Sequence, residues 1–532
     1  MGVRAQVQCA DRLTYQPVNR PNQIEWQKFP AFRLPFTLVY GGPRLGDSLA
    51  SPLQHGFSHL VRVFPSEYPT KVRPQQRALD WGGFAYGLNQ PWETLESPWG
   101  NDLPAYRAQW ERWLRGASDG VDEQGRYVPH ASLITVDIER FLETDQRILR
   151  LKADPNTPAP YRQLADAQFL AQYKKDMTAL YAEGLAFIRQ RANLTHTQLS
   201  TYSDVPIRNT FFNVVGNSWA DWTTNPVRTS FLTQDPATGR TGGPFYQQLD
   251  YLAPSGYYYY DYPSPLAGDY LAYLLFQVEA NRAWSDKPVI PYVWMRYHDC
   301  CGSHPNFIQP FMAEATAIFP FFSGARGLWL WEIPNLENSR SELYTAYESF
   351  IHGLYRLSRF ADMFEGDHEL VIAKSARDHM DEHSPIWRGV VKNNRILIAA
   401  HNPYATDAQR TTIRVRYKSW QQDITLSGRE VYLCQYDLSL LGVEPGPSLT
   451  NLRVSPIPAT REFTVSFEAD AGRPTQLRLF DMAGRLRFQQ SLPAGTQYVR
   501  QPIDTATLPA GVYVLQVANG ETSLSKRVLI TK

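Results

Sequence analysis

Residues 133–141 read LITVDIERF, a short apolar run that ends in charge. Such a run is too short for a helix and suits a strand buried on both faces, as in a parallel sheet. In an extended chain Asp137 and Glu139 point to one face while Val136 and Ile138 point to the other. Similar runs recur at Phe36–Tyr40, Gln198–Tyr202, Gly256–Tyr260, Val289–Trp294 and Gly327–Trp331. Between them, residues 104–116, 159–192, 267–284, 308–320 and 338–363 carry the 3.6-residue period of helices. Strand and helix in alternation through residue 365 define an α/β pattern. A (β/α)8 TIM barrel over residues 1–365 is expected rather than a doubly wound sheet. Polar and aromatic residues gather at the ends of several different strands, and no Gly-rich phosphate loop follows the first one.

The chain has 532 residues, of which 43% are hydrophobic and 13% aromatic, so a large core is expected and disorder is excluded as the dominant state. With 53 Lys and Arg against 52 Asp and Glu there is no global field for a polyanion, and no nucleic-acid partner is expected. No window reaches 18 consecutive apolar residues, so no transmembrane segment is expected. Four cysteines are too few for a disulfide scaffold: Cys300 and Cys301 are adjacent, and Cys9 and Cys434 could pair only if the fold joins them. The stretch HDCCGSH gathers His298, Cys300, Cys301 and His304 without zinc-site spacing, so neither metal nor cofactor is assigned. Neither a nucleophile elbow nor H-E-x-x-H is present in a usable setting, since the G-x-S-x-G around Ser118 follows a helix.

The carboxylates of LITVDIERF are the sharpest chemical feature. Asp137 and Glu139 lie about 6–7 Å apart along one strand face, suited to general-acid and charge-stabilising work, with like charge raising one pKa. Glu139 is expected to be the proton donor and Asp137 the stabiliser, with Glu332, or alternatively Asp261, as a second carboxylate. Later strand ends supply rings and hydrogen-bonding groups: Tyr202 and Asp204; Tyr258, Tyr260 and Asp261 in GYYYYDYP; Tyr292, Trp294 and Arg296 in PYVWMRY; and Trp329 and Trp331 in GLWLWE. Asp80 and Trp81 follow the same logic more weakly. Aromatic faces stack on sugar rings while carboxylates, Arg and Tyr bond the hydroxyls, so a carbohydrate substrate and glycoside hydrolysis are expected. The alternative is a non-catalytic surface protein that captures a glycan on the same scaffold.

From about residue 366 the pattern turns to short alternating segments. A β-sandwich accessory domain is expected over 366–446 and a second β-sandwich over 449–532, behind the Gly/Pro-rich join GVEPGP. The last segment holds ten Lys and Arg against six Asp and Glu. It carries Pro456 and Pro458, then LRLFDMAGR with Asp481, Gly484 and Arg485, then LPAGVYVLQV with Leu508, Gly511 and Tyr513, and closes on basic residues from Lys526 to Lys532. In this order they resemble the type IX secretion system sorting domain of Bacteroidetes, with Ile457 where that family usually has Asn. The resemblance implies a secreted or cell-surface protein, the type IX machinery as partner, and a signal peptide removed ahead of Met1.

The barrel elements are similar in order, over about 120–335, to hyaluronidase-type glycoside hydrolases. In that family a strand ends Asp-Trp-Glu, and the Asp orients the substrate's own acetamido nucleophile. Asp137 and Glu139 match the carboxylates, GYYYYDYP the Tyr-rich segment, and PYVWMRY and GARGLWLW the last two strands. Ile138 replaces the Trp and the family's paired cysteines are absent. The resemblance implies action on a poly- or oligosaccharide containing N-acetylhexosamine.

Overall fold

The computed structural model describes residues 7–10, 20–45, 49–63, 72–81, 97–137, 144–208, 211–262, 264–298, 306–333, 342–438, 449–469, 474–494, 498–519 and 522–531. The chain divides into two compact units, one of residues 1–415 and 422–438, the other of residues 416–421 and 439–532.

The first unit is built on a seven-stranded sheet. Its strands are β1 (Thr37–Gly41), β2 (His59–Val61), β3 (Arg77–Trp81), β4 (Leu133–Val136), β5 (Gln198–Thr201), β6 (Tyr292–Trp294) and β7 (Gly327–Trp331), in the spatial order β5-β4-β3-β2-β1-β7-β6. Every pairing is parallel, so all seven C-terminal ends share one edge. The run 256–260, expected as a strand, forms only one isolated bridge, Tyr258 with Tyr297, and Ser255 just before it bridges Tyr292. Its neighbour 250–256 instead runs between the outermost strands and bonds both. Asp250 N donates to Leu199 O and Ser203 N to Ala253 O on one side, while Ile290 N donates to Leu252 O and Tyr292 N to Pro254 O on the other. Pro254 has no N–H to give, which is one reason that a regular ladder does not continue there. Strands β2 and β3 are not apparent in the sequence, because three- and five-residue strands with polar flanks show too little alternation.

The main helices are α1 (Leu103–Gly116), α2 (Asp166–Arg191), α3 (Tyr270–Trp284), α4 (Pro310–Phe322) and α5 (Thr345–Ser358). Helix α1 begins where Asp102 accepts a hydrogen bond from Ala105 N, and only Tyr106, Trp110 and Leu114 of it are buried, as expected of a one-sided surface helix. Helix α3 is buried without interruption from Tyr270 to Asn281. The reason lies beyond the parallel sheet. A second, antiparallel sheet of β8 (Glu369–Val371), β9 (Ile386–Lys392), β10 (Arg395–His401) and β11 (Val431–Asp437) contributes Ile386, Val390, Leu397 and Leu433 to the core that α3, α4 and α5 fill. An additional strand, Val7–Cys9, pairs with β11 and is tied to it by a disulfide between Cys9 and Cys434. The buried charge at this junction is paired: Arg388 on β9 donates twice to Glu279 of α3, which also accepts from Ser323 and from Ala376 N.

The second unit contains β12 (Thr450–Ser455), β13 (Glu462–Glu468), β14 (Thr475–Asp481), β15 (Leu486–Leu492), β16 (Tyr498–Asp504), β17 (Gly511–Asn519) and β18 (Thr522–Ile530). They form antiparallel sheets of order β12-β13-β16 and β15-β14-β17-β18 around Phe463, Val465, Leu477, Leu479, Leu515 and Val517. The Asp-x-x-Gly-Arg stretch is the β14–β15 turn. Asp481 accepts from Ala483 N and Arg485 N and pairs with Arg487, and Gly484 has φ +76°, which favours glycine. In Leu-x-x-Gly-x-Tyr, Leu508 is buried and the Tyr513 hydroxyl donates to Pro509 O, fixing the entry into β17.

Candidate active site

Alternation within the strands sends one set of side chains to the concave interior of the parallel sheet. Val39, Val61, Ala78, Leu133, Tyr251, Ile290 and Trp329 form its lower part. There Tyr292 stacks on Trp329 with centroids 4.9 Å apart, and Thr135 and Tyr251 share a hydrogen bond of 2.7 Å. One layer up, toward the C-terminal edge, the rings of Tyr202, Tyr257, Trp294 and Trp331 converge. Tyr257 lies 5.9 Å from Tyr202, 5.7 Å from Trp294 and 5.9 Å from Trp331, and the two tryptophans are 4.9 Å apart, edge to face.

Two carboxyl groups act on the rings of this interior. Asp80, the fourth residue of β3, opposes Thr135 in the ladder, so it shares the interior face. Burial pushes its carboxyl up to about 6, against the pull of Arg62 and of a hydrogen bond with Trp331. Asp137 follows β4 directly, two residues after Thr135, and is half-buried. The Tyr292 phenol is raised first by burial and then by the charges of Asp80 and, more weakly, Asp137, so both carboxyls act on one ring. Glu139 lies outside the described residues.

The backbone at this edge is unusual. Arg62, just after β2, has φ +58°, and Ser203, just after β5, has φ +64°. Such conformations cost a non-glycine residue about 1–3 kcal/mol and cluster at functional sites. Arg62 donates to Gly41 O at 2.9 Å and to Glu332 O at 2.7 Å, stitching the ends of β1 and β7.

Other residues expected in the site have different surroundings. The Glu332 carboxylate is buried and accepts from Trp294 Nε1, Ile333 N, Arg296 Nε and the Tyr347 hydroxyl, all at 2.9 Å. Arg296 also pairs with Glu342 and lies over the Phe307 ring. Both therefore belong to a network that anchors the Trp294 indole. Tyr258 faces α4, its hydroxyl 2.5 Å from Thr316 Oγ1, and Trp329 is fully buried beneath Tyr292, so these two are core residues rather than wall. Tyr260 packs on Phe211 at 5.2 Å, and Asp261 is exposed. Asp204 is buried behind Tyr202, 3.7 Å from Arg208. Cys300, Cys301 and His304 lie outside the described residues, and His298 stacks on Tyr257 at 5.6 Å. Arg62 and Tyr251 carry no signal in the sequence, and Asp80 a weak one. The signal available for Asp80 is an apolar pair running into an Asp, as at the end of β4.

Residues 453–531 match the model of the secretion system C-terminal sorting domain, so the second unit is a sorting domain of that kind. No curated protein matches the chain in sequence. Among solved structures, bee venom hyaluronidase is similar at 15% identity over 61% of this chain and 99% of its own, with a TM-score of 0.38. An endo-beta-1,4-mannanase double mutant from Cellulomonas fimi is similar at 11% identity over 91% of this chain and 78% of its own, TM-score 0.29. An endoxylanase from Clostridium papyrosolvens is similar at 11% identity over 77% of this chain and 98% of its own, TM-score 0.27. Among the described residues no helix is long and apolar enough to cross a membrane.

Proposed function

We propose that the protein is an exported glycoside hydrolase acting on a poly- or oligosaccharide at the C-terminal edge of a (β/α)8 barrel, with 250–256 as the eighth member between β5 and β6. The observation that carries this reading is that Asp80 and Asp137 both act on the Tyr292 ring beneath Tyr202, Tyr257, Trp294 and Trp331, with Asp80 also hydrogen-bonded to Trp331. Rings of this kind hold the apolar face of a sugar and exclude water. Asp137, at the mouth, stabilises positive charge that develops at the anomeric carbon or on an acetamido group. Glu139, assigned from the Asp-x-Glu spacing alone, protonates the leaving oxygen. Asp80 lies deeper and, with a carboxyl that titrates near neutrality, sets the charge beneath the sugar. Glu332 takes the supporting role of orienting Trp294 rather than that of a second catalytic carboxylate.

Hydrolysis tests this on a panel of N-acetylhexosamine-containing, mannose-based and xylose-based polysaccharides. Glu139→Gln is expected to lower kcat about 10²–10⁴-fold on the substrate that is cleaved, with less loss where the leaving group needs no proton. Saturable glycan binding without turnover by the unmodified protein would instead make the barrel a capture module. The sorting domain supports type IX export to the cell surface or medium. Deleting residues 449–532 in a type IX-competent host is expected to retain the protein inside the cell, and normal delivery would refute that route.

A further inference from the structure

The opposite, N-terminal edge of the parallel sheet carries a cleft of about 790 Å³. It lies where the starts of β1, β6 and β7 meet the beginning of the second sheet, and Arg282, Lys287, Arg326 and His368 line it along with Asp286 and Asp367. Lys287 is committed elsewhere, donating to Leu249 O and lying over the Tyr246 ring. The two arginines are differently placed. Arg282 donates to Ser323 O at 2.8 Å, and its guanidinium packs against Gly324. Gly324 has φ +92°, which favours glycine, and a Cβ there would displace the guanidinium. Partial burial and then the like charge of Arg326 work against the protonated form of Arg282, while the charge of Glu279 favours it. Among the described residues neither arginine is within salt-bridge distance of a carboxylate.

Arg282 is also the hinge of a longer groove. It borders a second cleft of about 470 Å³ lined by Trp219, Ile372, Lys374, Ser375, Asp378 and Glu279, the last engaged by Arg388. There Trp219 is partly exposed, held edge-on against Phe276 at 6.3 Å. The combination is a pair of guanidinium groups outside salt-bridge distance of a carboxylate, a tryptophan to one side, and room for several sugar units. Guanidinium forks bind carboxylate and sulfate oxygens bidentately, and an indole stacks on a pyranose face.

We infer that this groove is a second, non-catalytic binding site for an acidic saccharide, its carboxylate or sulfate group held between Arg282 and Arg326 and a neighbouring sugar ring on Trp219. The site stands on the edge of the sheet opposite to the proposed active site and does not depend on the hydrolase reading. A ligand held there would tether the protein to an acidic polysaccharide while leaving the C-terminal edge open.

Isothermal titration of the full chain tests this with three probes: a uronic-acid oligosaccharide, a sulfated one and a neutral one of equal length. The acidic probes are expected to bind saturably, more weakly with rising salt, and the neutral one at least tenfold more weakly. Arg326→Glu, on an exposed side chain, is expected to lower acidic-probe affinity at least tenfold at unchanged melting temperature. Trp219→Ala should weaken both acidic oligosaccharides while leaving a fourth probe, inorganic sulfate, unaffected. Asp137→Asn should change none of these values, which separates the groove from the mouth. Absence of saturable binding by both acidic probes, or binding that survives Arg326→Glu, would overturn the assignment. Preference for the carboxylated over the sulfated probe, or the reverse, identifies the oxyanion.

Discussion

Asp80→Asn separates stability from function at the floor of the proposed site. The Asp80 carboxyl titrates at about 6 in the folded protein and at 3.8 as a free side chain. A raised carboxyl pKa means that the folded state holds the proton more tightly than the unfolded one. Its contribution is therefore fully present below pH 3.8 and is lost as pH rises through about 6. At about 1.4 kcal/mol per pH unit, ionised Asp80 costs the fold about 3 kcal/mol at pH 8. Water reaching the part of Asp80 that faces the mouth lowers this toward about 1 kcal/mol. Asparagine keeps an acceptor for the Trp331 indole and cannot ionise. Urea denaturation of both proteins at pH 4 and pH 8 is the assay. The stability of the asparagine variant relative to the parent should rise by about 1–3 kcal/mol between the two pH values, while turnover at neutral pH falls, the pattern of a strained functional group. Parallel pH profiles for the two proteins would refute the reasoning, because they would mean that Asp80 titrates alike in the folded and unfolded chain.

Acid should unfold the protein through its buried histidines. Burial lowers His401 from 6.5 to about 4 and His379 from 6.5 to about 3, so stability present above pH 6.5 is lost as pH falls toward those values; His401→Gln should flatten the acid limb of a melting-temperature profile, and an unchanged limb would exclude His401. Glu279→Ala leaves Arg388, which is fully buried, without its carboxylate and should cost about 3–5 kcal/mol in chemical denaturation. A loss below about 1 kcal/mol would show that the pair is not desolvated as the geometry implies.

Local sequence was sufficient where a side chain's partners lie nearby along the chain or where a period repeats. The apolar runs that became β1, β4, β5 and β7, the one-sided period of α1 and the turn chemistry at Asp481 and Gly484 are of this kind, because backbone preference and side-chain alternation act over a few residues. So is the sorting domain, whose turn and strand-entry residues Asp481, Gly484, Leu508 and Tyr513 each contact their own segment. Contacts across the sheet were not legible. Arg296 and Glu332 follow the same alternation as wall residues would, yet they bond each other and bury their charge. Tyr258 differs from Tyr257 by one position, and that single step turns its hydroxyl from the interior to helix α4. Asp80 gains its character only because β3 lies beside β4 and beneath Trp331. The desolvation that raises its pKa comes from residues distant in sequence. Composition can supply rings and carboxylates, but only tertiary packing decides which of them lose their water.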